Sequence, residues 1–175
     1  MDLITKKDFD KVAEENIYYS TEDQARWGYF EVAIKWLKEL DPKETLEVGP
    51  YSLPLDKEGH YVDRIDYGCK FGPRFVLHDV RKVPWPFEDK KFDVVIALQV
   101  WEHLTECQQK AFYELIRVSR HAIMSFPYRW PQGHEKDHVG IDKARISGWC
   151  LGQNPVKEFV VPSISERIIQ LYRFE

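Results

Sequence analysis

The sequence predicts an α/β fold: a Rossmann-like, doubly wound, mostly parallel sheet of about seven strands that closes on a C-terminal antiparallel hairpin. Three observations predict it. Short β-prone runs alternate with segments of helical periodicity, the pattern of a parallel sheet with crossover helices. One run, "FDVVIAL" (92–98), is apolar almost throughout, which suits a strand covered on both faces. The last two runs, "KEFVVPS" (157–163) and "RIIQLYRF" (167–174), are separated only by "ISE", close enough to pair antiparallel.

The elements follow in order. Residues 21–40 read as an amphipathic helix, with Thr21 and Gln24 in capping-box positions and Glu22 and Asp23 at the positive end of the dipole. Trp27, Phe30, Ile34 and Leu37 share one of its faces, and Asp41-Pro42 stops it. "TLEVG" is a first strand ending at Gly49, "HYVDRID" a second and "RFVLHDV" a third, before the buried run at 92–98. "TECQQKAFYELIRVSR" is a helix with Thr105 and Gln108 as its capping pair and Phe112, Leu115 and Ile116 facing inward; "HAIMSF" is a fifth strand. "DKARISGWCLG" is a short helix ended by Gly152.

With 175 residues and no linker or repeat, the chain is expected to form one domain. Residues 1–40 supply N-terminal helices that form part of a lid, and 44–175 the core. A net charge of -4 provides no basic field for a nucleic acid backbone. The short basic runs "KFGPR" and "VRK" read as solvated surface. The three cysteines, Cys69, Cys107 and Cys150, are scattered and form no Cys-x-x-Cys, which fits a reducing compartment. The polar N-terminus and the lack of a long apolar run predict a soluble, cytoplasmic protein that does not enter a membrane.

In an open parallel sheet, ligands sit beyond the carboxyl ends of the strands, where strand order reverses. Four strand ends carry suitable residues. Gly49 lets a ligand approach the backbone. Asp63, or Asp66 close by, can accept from both hydroxyls of a ribose, and Asp79 from an adenine amino group. The fourth end reads "LQVWEHL", from Leu98 to Leu104.

Taken together, these residues resemble a class I S-adenosylmethionine-dependent methyltransferase of the small type 11-like kind. The resemblance is clearest across "VLHDVRKVPWPFEDKKFDVVIALQVWEHL" (76–104) and extends loosely over residues 44–128. It implies S-adenosylmethionine as cofactor. Glu47 and Gly49, with Pro50 and Tyr51 after them, would lie along its methionine part, and Asp63 would hold the ribose. Asp79 and the Val80 backbone would read the adenine, and Gln99 would face the ammonium group. The glycine-rich loop of the family is replaced by Gly49-Pro50-Tyr51-Ser52-Leu53-Pro54, and only fourteen residues lead from Gly49 to Asp63. The helix between the first two strands must therefore be short or absent.

His103 follows the fourth strand and is a candidate proton acceptor. The segment "GHEKDH" (133–138) contains the His-Glu-x-x-His spacing of zinc peptidases. Pro131 and Gly133 before it and Gly140 after it make it a loop rather than a rigid helix, so no metal is expected there. Placed after the fifth strand, the loop brings His134, Asp137 and His138 to the acceptor side. Tyr18, Tyr19, Tyr128 and Trp130 are candidates for a lid or stacking surface. The function expected is methyl transfer to a small-molecule acceptor. The alternative is a non-catalytic relative that binds the cofactor weakly or serves a protein partner, which the lost glycines favour. "SFPY" (125–128) is not the Asn/Asp-Pro-Pro-Tyr signature of amino-methylating DNA enzymes.

Overall fold

The computed structural model describes every residue except 17, 18, 20–24, 69–73, 132, 133, 135 and 164. The expected capping residues Thr21 to Gln24, and Tyr18 and Cys69, lie outside the described residues.

Seven strands form one sheet in the order β3-β2-β1-β4-β5-β7-β6. They are β1 (Thr45–Val48), β2 (His60–Asp63), β3 (Phe75–Leu77), β4 (Phe92–Leu98), β5 (Ser119–Pro127), β6 (Lys157–Val161) and β7 (Arg167–Arg173). β1 to β5 are mutually parallel; β7 runs antiparallel between β5 and β6. β4 lies at the centre with Val94, Val95 and Ile96 fully buried, as its nearly unbroken apolar run demands. Strand order reverses between β1 and β4. A crevice opens there at the carboxyl ends.

Helices cover both faces. On one, α1 (Lys6–Glu15) and α2 (Ala25–Leu40) bury Phe9, Val12, Phe30, Ile34 and Leu37 against Val94, Ile96, Ile123 and Ile169. On the other, α3 (Gln108–Val118) and α4 (Lys143–Trp149) bury Phe112, Leu115 and Ile146 with Val95, Ala97 and Met124. α1 starts on a capping box in which Thr5 and Asp8 satisfy each other's backbone N–H. Gly28 lets α2 approach β6, because a Cβ there would stand 2.6 Å from Val161 Cγ1.

One expected feature came out differently. α3 begins at Gln108 with Cys107 as its cap and no side-chain hydrogen bond. Thr105 and Glu106 take left-handed backbone at φ 29° and 60°, so the Thr105–Gln108 capping box does not form. The N-terminal helices form a layer over the sheet.

Between β1 and β2 there is no helix, as the short spacing requires. Leu53 and Leu55 instead turn inward beneath α1 and α2, and the N-terminal segment is tied on by Ile4 N–H donating to Leu55 O at 2.9 Å. Glu47 anchors this loop from β1: it is 4% exposed, and its Oε2 accepts from Leu55 N–H at 2.6 Å. Burial pushes its carboxyl up to about 8, against that hydrogen bond and with the help of nearby Asp56. The unfolded chain releases this proton near 4.5, so between those pH values the folded state binds more protons and stability falls as pH rises. Glu47→Gln keeps an acceptor for Leu55 and abolishes the titration. It is expected to melt on the order of 5 °C above the unsubstituted protein at pH 8, with the gain shrinking toward pH 5. An equal offset at both pH values would show that Glu47 ionises normally.

Candidate active site

A cavity of about 330 Å³ opens at the carboxyl ends of β1, β2 and β4, at the small end of the usual range of about 300–1,000 Å³ for small-molecule sites. A broader depression of about 850 Å³ lies between the N-terminal segment and α2, away from the strand ends, and is lined by long surface side chains such as Lys35 and Lys38. The smaller one sits where the fold concentrates ligand-binding groups.

Gly49 forms part of its wall at φ +63°, its N–H donating to Val62 O at 2.9 Å. Tyr51 and Gln99, also in the lining, share the left-handed region at φ 56° and 58°. Such strain in non-glycine residues persists only where surrounding contacts enforce it. Gln99 is held by its side-chain amide donating to Ser125 Oγ and its backbone N–H to Ser125 O, both at 3.0 Å.

The two carboxylates of the lining differ. Asp63 accepts from the backbone N–H of Arg64 at 2.6 Å and Ile65 at 3.4 Å. Burial outweighs those bonds and raises its carboxyl above the ordinary range. Asp66 is exposed, accepts from Gly68 N–H at 2.8 Å, and is not in the lining. Asp79 is gripped by Arg81 on both oxygens, the shortest contact being 2.6 Å, and the guanidinium holds its carboxyl down to about 2. Val80 lines the cavity too, with its carbonyl accepting from Trp85 Nε1–H at 2.9 Å.

Glu47 and Pro50 lie outside the lining; both are buried behind it, Pro50 with its carbonyl accepting from Tyr19 O–H at 3.3 Å. Sequence reasoning missed Tyr67, whose ring stands 4.5 Å from that of Tyr51 and with it flanks the opening. It also missed Arg81, one of the "VRK" residues read as solvated surface. A tyrosine four positions after the strand-end aspartate was the available signal for the first; the arginine two positions after Asp79 was the signal for the second.

The histidines divide. His103, in the lining, follows β4 on a 3-10 turn, Trp101–Leu104. His138, on the turn Lys136–His138, brings its Nε2 to 3.4 Å from His103 Nε2. His134 lies exposed against Trp130, ring centres 4.9 Å apart. Tyr128 is buried in the core, and Trp130 Nε1–H donates to Glu166 O at 2.6 Å. The residue next to His103, Glu102, is buried, and that burial pushes its carboxyl up to about 8 despite the nearby charges of Arg167 and Arg26.

This cavity and topology can be set beside known proteins. A family described as "Methyltransferase domain" matches residues 48–122, the stretch from the end of β1 into β5. Residues 48–122 are thus similar to that family, and the seven-stranded sheet has the class I methyltransferase fold. Among solved structures, the fold is similar to that of an S-adenosylmethionine-dependent methyltransferase from Clostridium acetobutylicum, at 12% identity and TM-score 0.64 over 96% of this chain and 98% of that one. The N-methyltransferase NodS from Bradyrhizobium japonicum, in complex with S-adenosyl-L-homocysteine, is similar at 13% identity and TM-score 0.59 over 83% and 87%. A complex of the Haloferax volcanii Trm112 methyltransferase activator with a putative methyltransferase gives 11% identity and TM-score 0.66 over 97% of each chain. No curated protein is significantly similar in sequence. The fold thus places these strand-end residues around the crevice from which it recruits ligand contacts.

Proposed function

We propose that the protein transfers a methyl group from S-adenosylmethionine to a small-molecule acceptor. The observation that carries this reading is the convergence of Gly49, Asp63, Asp79 and Gln99 on one cavity at the switch point of a methyltransferase domain. The residues fit the cofactor chemically. Val48, Val62, Val80 and Leu104 provide apolar walls for a flat purine, and Asp63 offers a carboxylate to a diol. Gly49 keeps its bare backbone packed against Val100, where a Cβ would stand 2.9 Å from Cγ2, and its turn forms part of the cavity wall.

When bound, the cofactor supplies a methyl group already activated on a sulfonium, and the protein's share is positioning and exclusion of water. Asp63 accepts from the ribose hydroxyls, Asp79 and the Val80 backbone border the purine, and Gln99 turns toward the methionine end. Tyr51 and Tyr67 flank the entrance, and Tyr19, between α1 and α2 in the chain, stands 6.0 Å from Tyr51 ring to ring, as part of a lid. His103 and His138 stand where an acceptor enters, and His134 beyond them. With no cation between them, either of the paired imidazoles is placed to take a proton from an acceptor that loses one. Among the described residues no helix is long and apolar enough to cross a membrane. Cys107 and Cys150 are free thiols, which supports a cytoplasmic protein.

Calorimetric titration with S-adenosylmethionine and S-adenosylhomocysteine tests the reading: saturable heat and a raised melting temperature are expected. A second reading, a non-catalytic domain serving a partner, is favoured by one observation, the engagement of both Asp79 oxygens by Arg81. No heat at millimolar ligand would select it.

Asp63→Ala is expected to weaken cofactor binding by about 1–3 kcal/mol, the usual effect of losing hydrogen bonds to a charged group, with little change in melting temperature. Asp66→Ala is the control. Loss of affinity in the control alone would move the ribose to a different carboxylate.

A further inference from the structure

Glu102 is 3% exposed, and neither carboxylate oxygen has a hydrogen-bond partner among the described residues. A buried polar group left this way is destabilising, so a donor or a cation is called for. One ligand-type atom from each of Glu102, His103 and His138 lies within 4.8 Å of the other two. The imidazoles meet nitrogen to nitrogen at 3.4 Å with their rings at 77°. Two nitrogens each about 2.1 Å from a tetrahedral ion stand about 3.4 Å apart.

We propose that Glu102, His103 and His138 form a binding site for one divalent first-row transition ion at the rim of the cavity. Two imidazoles and one carboxylate suit zinc, iron or manganese, whereas magnesium and calcium take oxygen ligands. Three protein ligands leave a coordination position open. His103 also lines the cavity, so that position borders it. On the methyl-transfer reading, the open position takes an oxygen of the acceptor, and the ion lowers the pKa of a hydroxyl bound there. That extension rests on the proposed function; ion binding does not. Arg167 and Arg26 act on the same carboxylate and oppose a cation, while Asp137 adds negative charge. The site is distinct from a His-Glu-x-x-His centre, because His134 contributes nothing to the triad.

The test uses the full chain, stripped with chelator, offered one equivalent of zinc, dialysed and assayed by elemental analysis and by competition with a chromogenic chelator. About one zinc per chain is expected, with a raised melting temperature. His138→Ala and Glu102→Gln should each lose that retention and the thermal gain, and His134→Ala should keep both. If Glu102→Gln does not fold, His138→Ala decides, since its loop is on the surface. No retained zinc in the unsubstituted protein, or retention unchanged in His138→Ala, overturns the site. Calorimetry with S-adenosylmethionine on the same preparations separates the two proposals: zinc bound without cofactor leaves the ion site standing and removes the methyl-transfer reading.

Discussion

Trp85→Ala is expected to lower the unfolding free energy by about 3–5 kcal/mol, the range for emptying a large aromatic site in a core. Trp85 is 2% exposed and belongs to the cluster around Val95, Phe92 and Phe112. No helix lies between β3 and β4, so this ring fills the space that a crossover helix would otherwise cover. It also ties the segment together: Nε1–H donates to Val80 O at 2.9 Å, the backbone N–H to Glu114 Oε2 at 2.6 Å, and the carbonyl accepts from Arg117 Nη2 at 3.0 Å. Arg117 extends the clamp to Phe87 O at 2.8 Å and Asp89 Oδ1 at 2.7 Å. Trp85→Phe removes the indole donor and less volume, and should cost about 1–2 kcal/mol. Urea unfolding measures both. Because Val80 and Asp79 sit on the same segment, Trp85→Ala should also weaken cofactor binding where it remains folded. A loss below about 1 kcal/mol would show that the ring is not a core wedge.

Gly49→Val is expected to abolish measurable cofactor binding at micromolar ligand. A β-branched residue at φ +63° is a backbone outlier, costing about 1–3 kcal/mol. Its Cβ would also stand 2.9 Å from Val100 Cγ2, and such overpacking adds about 1–3 kcal/mol. The turn must shift, and with it the wall between β1 and β4. Gly49→Ala should show a milder form of the same loss. Adding Val100→Ala should recover the steric share and leave the backbone share, so the double variant binds between the single variant and the parent. Calorimetry with S-adenosylhomocysteine checks this. If Gly49→Val lowers the melting temperature while affinity stays at the parent value, the ligand does not lie against this backbone.

The strands were the most legible part of the chain. "FDVVIAL" predicts β4 to the residue, because a strand buried on both faces needs an almost continuous apolar run. The hairpin of β6 and β7 follows from the three residues between its sequence runs. Helix ends were harder. Thr105 and Gln108 have the composition of a capping box, yet the chain must first turn out of β4 through Trp101–Leu104, and that tertiary path puts Thr105 and Glu106 in left-handed backbone. Similarly, residues 1–40 read in sequence as helices forming part of a lid, with no sign of which sheet face their apolar sides cover. They form a layer of the core because no helix between β1 and β2 covers that face, only Leu53 and Leu55 of the loop.

By itself, the sequence determined the alternation of elements, the central strand, the antiparallel end and the residues at the strand ends, since these depend on periodicity and short spacing. Of the residues it nominated, Gly49, Tyr51, Asp63, Asp79, Val80, Gln99 and His103 line the cavity. Tertiary structure alone decided which way each carboxylate turns. Glu47 goes to Leu55 and Asp79 to Arg81, because a backbone N–H and a guanidinium within reach compete with any ligand. It also decided that His138 faces Glu102 and His103 rather than His134. Thirty-five residues separate His138 from His103; a loop after β5 and a turn after β4 meet only because those strands are parallel neighbours that end on the same edge.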